Sequence, residues 1–185
     1  MQRWRVPLGF VCGAVFILLA RPRLLTLLIG GGIALLGLAI RAWSAGHIRK
    51  NSRLAITGPY AFTRNPLYFG SFLLGIGFTV SAGGGWLSLG LWLVFAALFL
   101  GIYLPVMRVE ARTMAELFGD DYRQYAQHVP LFFPRPWPYR VSTTEPVKFD
   151  STLYMRYREY QAAIGLVVAW TVLALKALYL GLLTQ

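Results

Sequence analysis

Long, nearly uncharged apolar blocks constrain this chain more than any other feature. They run over residues 6–20, 24–40, 67–82, 86–107 and 160–183. A helix crossing the hydrocarbon of a bilayer needs about 20 apolar residues, with roughly 17 as a lower limit. The third to fifth blocks meet or approach that length. The first is short, and is expected to be tilted, interfacial, or one arm of a shallow hairpin with the second. No water is available inside a bilayer to satisfy backbone groups, so such blocks must be helices. The expected fold is therefore all-α, a single membrane domain over residues 1–185 with about five transmembrane helices. A cytosolic connector at 41–66 and an amphipathic, Pro-rich cytosolic segment at 108–159 separate the later helices. With 57% hydrophobic and 14% charged residues, the composition excludes an ordinary soluble domain.

Arg3 and Arg5 precede the first block and Ala20 ends it, a pattern shared with signal peptides. Arg21-Pro22-Arg23 leads straight into another apolar block, which favours a helix hairpin. The single cysteine, Cys12, lies inside the first block and is assigned to packing, since a lone thiol forms no internal disulfide.

Of the 18 Lys and Arg residues, fifteen fall before the first block, in 41–66 or in 108–159. The positive-inside rule places those segments in the cytosol. Arg21 and Arg23 oppose this, and Lys176 lies near the outer end of the last helix, where it can snorkel. The expectation is a multi-pass protein of the bacterial inner membrane. Its basic inner face meets anionic lipid headgroups, and nucleic acid is not needed to explain the charge.

The acidic residues are more selective. All seven, Glu110, Glu116, Asp120, Asp121, Glu145, Asp150 and Glu159, lie beyond position 109. Any site among the helices must take its negative charge from there, and Glu110 is nearest to the fourth block. Gly83-Gly84-Gly85 joins the third and fourth blocks in a tight turn. Arg64 lies about 20 residues before the turn and Glu110 about 25 after it, so at about 1.5 Å per residue both reach the same membrane face. There they either flank one pocket or form an interfacial ion pair.

Within the connector, Gly58-Pro59 fits a turn, Asn65 a helix N-cap, and Pro66 the first turn of the following helix. These local roles leave the clustering of Tyr60, Arg64 and Tyr68 unexplained. Beyond Glu110, Ala111, Met114, Phe118, Tyr122, Tyr125 and Val129 recur at helical spacing, with Gly119 as an interruption. The run from Pro130 to Pro138 then ends regular structure. Such a segment can lie on the membrane and cover a pocket.

Two stretches carry a resemblance. The first reads Gly58-Pro59-Tyr60, then Arg64-Asn65-Pro66-Leu67-Tyr68-Phe69-Gly70. The second reads Glu110, then Phe118-Gly119, Tyr122, Tyr125, Val129-Pro130 and Pro134. In this order, around a helix hairpin, they resemble the isoprenylcysteine carboxyl methyltransferase and phospholipid methyltransferase family of integral membrane enzymes, over roughly residues 35–136. Asn65 stands where that family has His, and Ala111 where it has a second Glu.

The resemblance implies S-adenosyl-L-methionine as methyl donor, bound between the third and fourth helices and covered by the C-terminal segment. It implies donor binding by Tyr60, Arg64, Asn65, Tyr68 and Glu110, with Arg64 and Glu110 also catalytic. The chemistry is coherent: aromatic faces stabilise a sulfonium cation, Arg64 binds a carboxylate bidentately, and Glu110 suits an ammonium or ribose hydroxyls. The acceptor is expected to be hydrophobic and membrane-resident, either a carboxylate such as an isoprenylcysteine-like acid or a lipid amine.

Alternatives are a sterol-reductase-like membrane enzyme using NADPH, or a non-catalytic membrane relative or scaffold. A transporter lacks support, since carboxylates are missing at mid-membrane depth. No metal is expected. His47 and His128 are the only histidines, too few for a di-iron oxygenase, and each is assigned to a headgroup-level or loop position.

Overall fold

The computed structural model describes residues 13–48, 53–83, 86–140 and 149–183. Arg3, Arg5, Cys12, Arg49, Lys50, Gly84, Gly85, Glu145 and Lys148 lie outside the described residues, as do the expectations attached to them. Helices appear in the order α1 (13–19), α2 (Leu24–Ala45), α3 (Pro66–Ser81), α4 (Trp86–His128), α5 (Ser151–Arg156) and α6 (Tyr160–Leu183). A 3-10 turn, Gly58–Ala61, precedes α3. Among the described residues there is no β-strand, only an isolated bridge between Arg21 and Gly83.

Three helices are long and apolar enough to cross a membrane: Leu24–Ala45, Leu89–His128 and Tyr160–Gly181. The 16-residue α3 is apolar but shorter, and spans about 24 Å at 1.5 Å per residue. The burial pattern is inverted relative to a soluble bundle. On α2 the buried positions are mostly Gly30, Gly31, Ala34, Gly37, Ser44 and Ala45. Leu24, Leu25, Leu28, Ile29, Leu35 and Leu36 are exposed instead. Small residues at the helix seam and large aliphatics facing outward are what lipid as solvent demands.

That seam joins α2 to an antiparallel α3. A Cβ on Gly77 would sit 2.5 Å from the Ala34 nitrogen and the Gly30 carbonyl oxygen, and one on Gly37 would sit 2.6 Å from the Gly70 oxygen. α6 runs antiparallel to α2, with the Trp170 indole donating to the Leu27 carbonyl at 3.2 Å. α4 packs on the far side of α3 in an antiparallel hairpin. Phe95 and Phe99 meet Phe72 while Tyr103 meets Tyr68, with ring centroids 5.9, 5.2 and 5.3 Å apart.

Hydropathy ends the fourth block near Met107, yet the helix continues to His128, breaking at Gly119 with φ 56° and ψ −127°. The stretch before that break, residues 86–118, is about 50 Å long at 1.5 Å per residue, longer than the roughly 30 Å hydrocarbon core. The second half of α4, from Arg108 onward, carries the charged residues of the helix.

Lys176 corrects the snorkelling expectation. Its ammonium donates to the carbonyls of Ile17 and Leu18, both at 2.7 Å. These are terminal carbonyls of α1 that lack helical partners, so the cation caps a helix C-terminus rather than reaching for water.

Candidate functional site

At the end of the bundle opposite Lys176, a cavity of about 590 Å³ opens between α3, the connector and the second half of α4. Tyr60, Arg64, Asn65, Tyr68 and Glu110 all border it. The hairpin produces this convergence. As α3 descends from Phe72 to Tyr68, its partner on α4 rises from Phe99 to Tyr103. One further turn or two brings Glu110 level with the start of α3, where the Tyr68 hydroxyl donates to Glu110 Oε1 at 2.8 Å.

The two motif stretches form one construction. The Tyr125 hydroxyl donates to the Tyr60 carbonyl at 2.6 Å and fixes the 3-10 turn. Arg64 Nη1 donates to the Tyr122 hydroxyl at 3.2 Å, with the guanidinium 5.9 Å from the centre of that ring. The Pro-rich run lies along residues 61–65 as a strap. The Arg64 amide donates to the Pro130 carbonyl at 3.0 Å and Thr63 Oγ1 to the Phe132 carbonyl at 2.8 Å. The Arg135 and Tyr139 amides return bonds to the Phe62 and Ala61 carbonyls, each at 2.9 Å. Proline cannot donate, so the strap forms no ladder of its own and gives its carbonyls to the connector.

Asn65 occupies the N-cap position of α3, but its side chain makes no capping bond. Its amide donates to the Leu131 carbonyl at 2.9 Å instead. In place of the expected cap, Asn65 thus makes a tether between connector and strap, with its Nδ2 turned to the strap carbonyl. Pro66 itself does begin the helix, and Gly58 takes φ +61° in the turn.

Arg64 and Glu110 share the cavity without pairing. Among the described residues the ion pairs are Arg41–Glu159 and Arg123–Asp120, so Arg64 has no carboxylate partner there. Two polar atoms at the site are buried without a hydrogen-bond partner, the Tyr60 hydroxyl and Arg64 Nε. Burial, reinforced by Tyr125, Glu159, Tyr157 and Glu110 nearby, pushes the Tyr60 hydroxyl pKa upward. The phenol thus stays neutral and keeps its proton to donate.

The cavity is also lined by Arg41, Ser71 and Tyr103, which motif reading did not single out. Arg41 had a sequence signal, being the charge that ends the second apolar block. His47 does not border the cavity; it is buried behind the turn, where a Cβ on Gly58 would meet its ring at 2.6 Å. Among the described residues no three His, Cys, Asp or Glu side chains group to hold a metal ion.

Comparison with known proteins agrees with this construction. The phospholipid methyltransferase family model matches residues 33–121, from the middle of α2 to just past Gly119. The chain is 37% identical over 160 residues to the cobalt-zinc-cadmium resistance protein CzcN of Cupriavidus metallidurans, covering 80% of this chain and 69% of that protein. It is 36% identical over 113 residues to the nickel-cobalt-cadmium resistance protein NccN of Alcaligenes xylosoxydans xylosoxydans, covering 60% of this chain and 51% of that protein. No solved structure gives a significant match. With the family's first motif folded against its second around a shared cavity, the chain belongs to the phospholipid methyltransferase family of membrane proteins.

Proposed function

We propose that the chain transfers a methyl group from S-adenosyl-L-methionine to a hydrophobic, membrane-resident acceptor at the cytosolic edge of the α3–α4 hairpin. The observation that carries this reading is the convergence of Tyr60, Arg64, Asn65, Tyr68 and Glu110 on one cavity, with Arg64 free of a carboxylate partner among the described residues. A guanidinium left without its opposite charge is a ready partner for an anionic group on a ligand.

The residues present fit the donor. Arg64 offers a planar fork for a carboxylate, that of the donor or of the acceptor. Glu110, oriented by Tyr68, suits an ammonium or ribose hydroxyls. The rings of Tyr60, Tyr68 and Tyr122 provide faces for a sulfonium cation. Bound there, S-adenosyl-L-methionine supplies an electrophilic methyl group. The chain's own contribution is alignment: the strap fixes the connector, and the connector fixes Arg64 and Tyr60. A carboxylate acceptor needs no base. An amine must lose a proton, and Glu110 borders the cavity to receive it.

In this reading α1 and α3 complete a five-helix domain in the bacterial inner membrane. The cavity opens to the cytosol as the positive-inside rule directs, and the acceptor enters from the bilayer. Resistance to cobalt, zinc or cadmium ions, the property in the CzcN name, would be reached here through a methylated membrane component.

Calorimetric titration of purified protein in detergent tests the reading. Saturable binding of S-adenosyl-L-methionine is expected, weakened in Arg64→Ala and Glu110→Ala. No binding, or binding by both variants as tight as by the wild type, would sink it, and binding of NADPH instead would favour a reductase.

A further inference from the structure

Glu159 lies outside the family-matched region, at the entry to α6. Its carboxylate grips Arg41 bidentately, with Nε–Oε2 3.0 Å, Nη2–Oε1 3.0 Å and Nη2–Oε2 2.7 Å. The pair is largely withdrawn from solvent, at 22% and 11% side-chain exposure. Arg41 Nη1 donates to Ser71 Oγ and, at 3.4 Å, to the Leu67 carbonyl. Every guanidinium nitrogen thus has an acceptor, and the charge has its opposite. Arg41, Leu67 and Ser71 all border the cavity.

Two local features make room for this pair. A Cβ on Gly70 would meet Arg41 Cγ at 2.7 Å, so the motif glycine is the surface over which the arginine stem passes. Arg158, just before Glu159, takes φ 54°, a conformation that non-glycine residues hold only when their surroundings impose it.

We propose that Glu159 is a positioning residue of the donor site. By neutralising Arg41 it keeps a second positive charge off the wall of a cavity that must accept a sulfonium cation. This role presupposes the S-adenosyl-L-methionine site proposed above. Arg64 already contributes one cation without a carboxylate partner among the described residues, so a second would act against a cationic ligand. At about 10 Å and an effective dielectric of about 20, one added charge weakens binding of a cation on the order of tenfold. The charge of Glu159 does reach the cavity, since it contributes to the raised pKa of Tyr60.

S-adenosylhomocysteine separates charge from shape, being the same molecule with a neutral thioether in place of the sulfonium. The test is the ratio of the two affinities, by calorimetry on full-length protein in detergent. In Glu159→Gln the preference for the sulfonium ligand is expected to fall about tenfold, and to return in the Arg41→Gln/Glu159→Gln double variant. Arg41→Gln alone, leaving the carboxylate unneutralised, should shift the ratio the opposite way, and decides the matter even should Glu159→Gln not fold. A ratio unchanged across these variants, or a fall that the double variant does not reverse, would overturn the role of Glu159. Wild-type protein binding neither ligand would instead remove the donor site itself, and this role with it.

Discussion

Tyr60 and Arg64 hold polar atoms that folding buries and leaves unbonded. An atom of this kind costs stability, and a ligand that bonds it gains affinity, so the two properties separate on mutation. Tyr60→Phe is expected to leave the thermal midpoint unchanged or raised, while weakening S-adenosyl-L-methionine binding by about 1 kcal/mol, roughly fivefold. Because the folded state raises the Tyr60 pKa, the hydroxyl remains protonated, and the loss should be the same at about pH 6 and about pH 9. Arg64→Lys keeps the charge but loses the planar fork and the bond to Tyr122. A loss of binding of about tenfold or more is expected, read by the same titration. The five motif residues, Tyr60, Arg64, Asn65, Tyr68 and Glu110, were all visible in the sequence because their spacing repeats a known pattern. The pairing of Arg41 with Glu159 is not, since it spans 118 positions, although Arg41 itself marks the end of the second apolar block. Asn65 holds the N-cap position that the sequence predicts, but its side chain bonds to the strap, a partner that local spacing does not reveal.

Helices here are held by what their seams lack. On α3, Gly77 admits the α2 backbone so closely that an added methyl group would lie 2.5 Å from it. Gly77→Ala is expected to cost about 1–3 kcal/mol, seen as a lower thermal midpoint in detergent. Gly90 on α4 has nothing within 4 Å of the same added atom, and Gly90→Ala should be neutral or stabilising by up to about 1 kcal/mol. Opposite results at two helical glycines would follow from packing and not from helix propensity. The apolar blocks announced α2, α3, α4 and α6 well, since hydropathy and helical hydrogen bonding agree within lipid. Hydropathy ends the fourth block at Met107, while the helical spacing of 111–129 and its break at Gly119, both legible in the sequence, carry the backbone on to His128. That extension is what carries Tyr122 and Tyr125 to the connector.

The molecule as a whole has two contrasting ends. At one, Arg21, Gly83 and Lys176 close the bundle by backbone and capping bonds. At the other, connector, strap and the two hairpin helices leave a cavity whose polar groups are incompletely satisfied. Lys176→Met should loosen the first end, exposing unpaired α1 carbonyls at a cost of about 1–3 kcal/mol in stability. Ligand affinity at the distant cavity should be unchanged, which a titration alongside the melting curve would read. Charge counting on the sequence suggested a face and a pocket edge; it carried no information on the strap, whose bonds run between backbone groups. The central claim is that the donor binds between the connector and the α3–α4 hairpin. Direct photolabelling with radioactive S-adenosyl-L-methionine, followed by peptide mapping, tests it most directly. The label is expected on peptides spanning residues 54–71 or 103–125, and to be lost in Arg64→Ala. Label confined to α6 or to the Lys176 end, or unaffected by Arg64→Ala, would contradict it.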